Sequence, residues 1–241
     1  MSTLRTNLSI SPQELFTSSS TQGTDIGALA TTGDGRYFRY VLAGGTTLVP
    51  GKLQQSPAQD ATNYNPLGGL AVAAAAIGAT QVTLTGTLTI AANALAGAIM
   101  SVAVTPGQGY SYRVKSNTAV TAAANCVVTL EDPIIIALTT SSKVTFAVNP
   151  YNGVIVNPAT ATGMPVGVAV FAVPNGQYGW VQTHGTVSCL TDAGTAVGLG
   201  LSPSAAVAGA VKTAAVTLCV VGYALNTCVD TEYDDIFLTI D

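Results

Sequence analysis

Short alternations of apolar and polar residues, rather than helical periods, dominate this chain. Residues 81–90 place Thr between aliphatic side chains, and residues 110–116 alternate in the same way. A period of two is typical of strands that bury one face. Turn-forming residues at 33–35 and 149–153 separate such runs. The pattern predicts an all-β fold made of antiparallel β-sandwich or β-barrel lobes.

One strong helix-start signal interrupts this pattern, at residues 11–16. Ser11 can cap a helix, Pro12 suits its first position, and Glu14 follows where a capping box needs an acid. The signal predicts one short helical turn. The alanine-rich stretches in the 70s and at 205–210 fit strands or short helices equally well.

The chain divides by composition into three segments. Residues 1–34 are polar, rich in Ser and Thr, and lack an apolar period, so they predict an extended N-terminal arm that is mobile on a free subunit. The turn at 149–153 predicts the seam between two β-modules, the first at 35–150 and a second, barrel-like one at 151–241.

Charged residues are scarce, and this narrows the class of protein. They make up 8% of the chain, against roughly 25% in ordinary soluble domains. A membrane-spanning helix is excluded because the longest weakly polar stretches, 67–80 and 214–225, are shorter than the ~18–20 residues that such a helix needs. A net charge of −4 argues against binding nucleic acid. The composition therefore favours a protein that buries much of its surface against partners.

No group of residues forms a recognisable catalytic or metal-binding pattern, so we expect no enzyme, no cofactor and no metal. His184 has no nucleophile or acid near it in sequence, and the Glu131-Asp132 pair before Pro133 is typical of a turn. The acidic end, with Asp230, Glu232 and Asp234, alternates onto one side but lacks the Gly and Glu of a calcium loop. Trp180 with Tyr178 fits core packing better than a sugar platform. We expect the four cysteines to be reduced and to pack as small apolar residues: Cys126, Cys189, Cys219 and Cys228.

Several phrases of the sequence resemble structural proteins of tailed bacteriophages, especially capsid decoration (cement) proteins. They are found at residues 35–40, 43–51, 109–118, 149–156, 177–183, 192–198 and 220–224. The resemblance implies β-barrel-like lobes, assembly as a homo-oligomer with a trimer favoured over a dimer, and binding to the major capsid protein. It implies a location on the capsid surface of the virion, after assembly in the host cytoplasm. The resemblance assigns no role to any individual residue, because such proteins act by binding through broad surfaces.

Other functions remain open at this stage. A phage fibre or receptor-binding protein would recognise host glycans, but fibres usually repeat along their length, and no fixed period of 20–50 residues is found. A major capsid or tail-tube subunit would need long helices and more charge. A glycan-degrading spike would need a pair of catalytic carboxylates.

Overall fold

The computed structural model describes residues 8–86, 88–121, 124–215 and 219–241, and almost all of its regular structure is β-strand. This confirms the predicted all-β class. In chain order the elements are β1 (Leu8–Ser9), α1 (Pro12–Leu15), β2 (Leu29–Thr31), β3 (Tyr37–Ala43), β4 (Leu53–Gln55), β5 (Leu70–Val72), β6 (Gln81–Thr85), β7 (Ile99–Val104), β8 (Ser111–Asn117), β9 (Cys126–Leu130), β10 (Lys143–Ala147), β11 (Asn152–Val156), β12 (Pro165–Ala169), β13 (Tyr178–Leu190), β14 (Gly200–Pro203), β15 (Val211–Thr213), β16 (Gly222–Ala224) and β17 (Tyr233–Thr239).

The chain forms two compact units that do not follow one another in sequence. Unit 1 combines Met1–Ala58 with Pro150–Asp241, and unit 2 is Gln59–Asn149. The predicted seam near residue 150 coincides with a true boundary, but the predicted modules 35–150 and 151–241 do not. Residues 35–58 belong with the C-terminal part because β3 and β4 pair with β11, β12 and β13. Unit 2 is therefore an insertion between two halves of unit 1.

Unit 1 is built on one sheet that branches at its longest strand, β13. Because β3 pairs with both β11 and β13, the strands β3, β11, β4, β12 and β13 form a closed circuit. Its interior holds aliphatic side chains that include Val41, Leu48, Val154 and Val181. From β13 the sheet continues through β17, β16, β14 and β15, over a second cluster. That cluster contains Leu53, Val168, Cys189, Leu201, Val211, Val221, Ala224, Cys228, Ile236 and Leu238.

Unit 2 is a closed barrel of six strands in the order β10-β5-β6-β9-β8-β7. All of its strand pairs are antiparallel. The alternation read from the sequence places Val82, Leu84, Val114, Val128 and Phe146 in its interior, where each is no more than 1% exposed. A closed barrel has no free edge strand along its circumference.

The same turn introduces several strands in both units. A buried residue pairs through an isolated β-bridge. The tight turn that follows it contains a residue of positive φ, as at Gly51 before β4 and Gly176 before β13. In each case the amide after the glycine donates to the carbonyl three residues earlier, as Lys52 N does to Val49 O at 3.2 Å. A positive φ at the third residue of a turn is the reason for glycine there.

The N-terminal segment is part of the fold rather than a mobile arm, which corrects the prediction for residues 8–34. The predicted helix is present, with Ser11 at its N-cap and the complete capping box to Glu14. Ile10 and Leu15 are 7% and 1% exposed and pack in a cluster with Phe38, Tyr40 and Trp180. β1 pairs in parallel with β2 at the end of the sheet. The sequence pattern did not reveal this packing because Ile10 and Leu15 stand among polar residues.

Candidate interaction surface

His184 is held in a structural cluster rather than beside a nucleophile. Its ring stacks on Tyr37 with centroids 4.9 Å apart and meets the edge of Phe237 at 5.2 Å. Its Nδ1 lies 3.1 Å from the main-chain oxygen of Asp241. The residue therefore serves to hold the end of β17 against β13.

An ion pair strengthens the same junction. The Arg39 guanidinium makes two hydrogen bonds to the Asp241 carboxylate, at 2.8 and 3.0 Å, and a third to the carbonyl of Gly27 at 2.9 Å. Burial acts to raise the pKa of Asp241, but hydrogen bonds from Arg39 and Thr183 outweigh it, and the net pKa is lowered. The pair joins β3 to the residues that follow β17.

We expect the Arg39–Asp241 pair to make stability depend on pH in the acid range. Because the pKa of Asp241 is lowered in the folded state, its contribution is complete above the ordinary value near 3.8 and is lost as pH falls through the folded-state pKa. Asp241→Asn should cost about 1 kcal/mol at pH 7. Urea unfolding at pH 7 and at pH 2.5 measures this difference, which should shrink at the lower pH. An equal loss at both values would contradict it.

The other carboxylates considered from the sequence stabilise local structure. Glu131 pairs with Arg113 at 3.2 Å. Asp230 accepts a hydrogen bond from the Ala193 amide at 2.9 Å. Asp234 accepts bonds from the Val229 amide and the Thr191 hydroxyl, both at 2.9 Å. Among the described residues, no three His, Cys, Asp or Glu side chains are grouped so that they could hold a metal ion.

The cysteines are all free thiols. Cys126, Cys189 and Cys228 are buried, and Cys219 is exposed. Burial, together with a smaller contribution from the nearby Cys228 thiol, raises the pKa of Cys189 to about 12. A thiol with so high a pKa is a poor nucleophile at neutral pH. Cys126 packs as a small apolar side chain in unit 2, and Cys189 and Cys228 do so in unit 1. Cys219 does not, contrary to the expectation for all four, because it is exposed.

Trp180 lies inside unit 1 and is not a surface platform. It is 9% exposed, and its ring meets Tyr40 edge-on with centroids 5.0 Å apart. Tyr178 stacks on the other side of this group, 5.9 Å from Tyr40. The aromatic cluster supports the N-terminal segment that covers it.

The most distinctive surface of unit 1 is apolar and was not located from the sequence. Six large apolar side chains, each between 41% and 62% exposed, lie on two adjoining segments of the chain, and we call them the apolar face: Val197, Leu199, Val220, Tyr223, Leu225 and Val229. The segments adjoin because Ala224 N donates to Leu199 O at 3.0 Å and Gly198 N donates to Ala224 O at 2.8 Å. Exposed apolar side chains on adjoining segments are a feature of interaction sites.

Charges next to the apolar face are negative. Asp230, Glu232 and Asp235 are exposed and lie close to it in sequence. The chain has no Lys or Arg after Lys212. A partner surface with an apolar centre and basic residues at its rim would match this arrangement.

The comparisons with known proteins give no relative. No family model, no curated protein and no solved structure matches the chain. In the part of the chain that the structure describes, no helix is long and apolar enough to cross a membrane.

Proposed function

We propose that this protein is a structural subunit that binds the outside of a tailed-phage capsid and stabilises it. The observation that carries the proposal is the apolar face, which leaves six large side chains exposed on a chain with only 8% charged residues. A free monomer gains nothing from such a surface, whereas a subunit repeated by symmetry over a shell gains many weak contacts at once.

The closed barrel of unit 2 and the branched sheet of unit 1 support this proposal in a second way. Both place their aliphatic side chains in small separate cores. Their loops and outer faces thereby remain available for broad contacts. Carbonyl, hydroxyl and apolar groups at such surfaces suit a broad interface with an apolar centre and a polar rim.

The experiment that tests the function is reconstitution on particles. Purified protein is added to capsids that lack it, and bound copies are counted after sedimentation. Saturable binding, together with a higher temperature of capsid disruption, is the expected result. Binding that does not saturate, or saturable binding that leaves capsid disruption unchanged, would refute a stabilising role.

We also expect the protein to form a homo-oligomer, with a trimer favoured over a dimer. The physical reason is the exposed apolar area, which water solvates poorly. Light scattering at micromolar concentration measures the mass directly. A stable monomer of 24.2 kDa over the whole concentration range would contradict this expectation.

A further inference from the structure

A cleft of about 480 Å³ in unit 1 is separate from the six residues of the apolar face. This volume is within the range of about 300–1,000 Å³ typical of small-molecule sites. Two aromatic side chains line it, Phe16 after α1 and Tyr233 at the start of β17, and they are 53% and 51% exposed. Tyr233 is fixed in place because its ring lies against Gly51, where a Cβ would come within 2.6 Å of Tyr233 Cδ1.

The polar groups of the cleft have unused hydrogen-bonding capacity. At its base, Gln182 is fully buried, and its Nε2 donates to the carbonyls of His184 and Thr186 at 3.0 and 2.8 Å. These two bonds fix the orientation of the amide, and its Oε1 has no partner among the described residues. A buried acceptor without a donor is rare in proteins.

Two groups of opposite charge complete the lining. Arg36 uses its Nε for Asp34 at 2.8 Å. No described residue pairs with its two terminal nitrogens or with the Asp235 carboxylate. Ser188 lies opposite Asp235 in the register of β13 and β17 and adds a hydroxyl. The cleft therefore offers the Arg36 guanidinium, which donates hydrogen bonds but cannot accept them, and the Asp235 carboxylate, which accepts them but cannot donate. It also offers two aromatic rings.

This combination selects against most ligand classes. Arg36 attracts anions and Asp235 attracts cations, so a ligand with only one sign of charge satisfies one of these groups and is repelled by the other. A purely apolar ligand would strip water from both charges without replacing it. Hydroxyl groups both donate and accept, so a neutral polyol satisfies the Arg36 guanidinium and the Asp235 carboxylate together. The C–H face of a sugar ring also packs against an aromatic side chain.

We propose that this cleft binds a neutral saccharide. The site is independent of the capsid proposal, because it uses other residues and remains meaningful whatever the protein coats. It does not use the Trp180–Tyr178 pair, for which the sequence already favoured core packing over a sugar platform: Trp180 is buried, whereas Phe16 and Tyr233 are exposed.

The test is saturation-transfer NMR of the full chain with methyl glycosides of glucose, galactose, mannose and N-acetylglucosamine at millimolar concentration. At least one should receive magnetisation, most strongly at the C–H protons of one ring face. Tyr233→Ala should reduce the signal at least fivefold, and Asp235→Asn should do the same with little change in shape. Tyr110→Ala, at a tyrosine 40% exposed in unit 2, is the matched control and should leave the signal unchanged.

Several results would overturn the proposal. One is the absence of transfer to all four glycosides in a protein whose Trp180 emission shows that it is folded. Another is transfer that Tyr233→Ala and Asp235→Asn leave intact. A third is transfer to the zwitterion alanine alone, which would assign Arg36 and Asp235 to an amino acid.

Discussion

Removal of residues 1–32 is expected to destabilise unit 1 by at least about 4 kcal/mol, because it takes away two buried side chains, Ile10 and Leu15, and uncovers their partners. It also breaks the paired bonds between Ser19 and Tyr178, whose amides each donate to the other's carbonyl at 3.0 and 2.8 Å. For a protein of this size the melting temperature should fall by roughly 10 °C.

Trp180 makes this measurement specific to unit 1. It is the single tryptophan of the chain and lies in the cluster that Leu15 covers. Urea unfolding followed by its fluorescence should show an earlier midpoint, and emission of the folded truncated protein should shift to the red. Leu15→Ala alone should cost about 2–5 kcal/mol.

The matched control lies on the same helix. Gln13 is exposed, so Gln13→Ala should change the free energy of unfolding by no more than about 0.5 kcal/mol. A truncated protein with the original unfolding midpoint and emission would instead support the mobile N-terminal arm that the sequence predicted.

Local features of the fold were predictable because their causes are local. The capping box depends on Ser11 and Glu14, which are three residues apart, and the sequence located it correctly. Strand β8 also lies within a residue of the alternation predicted at 110–116, since alternation of buried and exposed side chains is visible in the strand alone.

Features that depend on distant pairing were not predictable. A glycine inside a strand weakens it, but β13 runs through Gly185 because β3 holds one part and β17 the other. The glycine instead takes a φ of 89° beside a register shift. The insertion of unit 2 escaped detection for the same reason, as β3 and β4 find their C-terminal partners 100 to 147 residues later.

For the candidate sites too, the sequence predicted a general property but not the positions, which depend on distant pairing. Composition predicted that surface must be buried against partners, because scarcity of charge is a property of the whole chain. It did not place the apolar face, which forms only when residues 197–199 and 220–229 come together. The cleft was also missed, because its lining comes from the residue after α1, from the turns before β3 and β4, and from β12, β13 and β17.

Replacement of three side chains of the apolar face is expected to reduce the affinity for capsids about a hundredfold. The variant is Val197→Ser, Leu199→Ser and Tyr223→Ser, at positions 62%, 46% and 47% exposed. Each half-exposed side chain would lose about 1 kcal/mol of apolar burial on the shell. Together this is about 3 kcal/mol, or two factors of ten in the dissociation constant. The fold should be unaffected, because none of the three belongs to a buried cluster.

Unit 2 supplies the matched control, with two aliphatic side chains and one tyrosine of similar exposure. Ile77→Ser, Ile135→Ser and Tyr110→Ser alter positions 67%, 56% and 40% exposed. Occupancy is measured by titrating each variant onto capsids that lack the protein, in parallel with urea unfolding to verify stability. The unit 1 variant should lose binding and the unit 2 variant should keep it. The reverse result would assign the shell contact to unit 2, and equal binding by both would remove the apolar face from the proposed attachment.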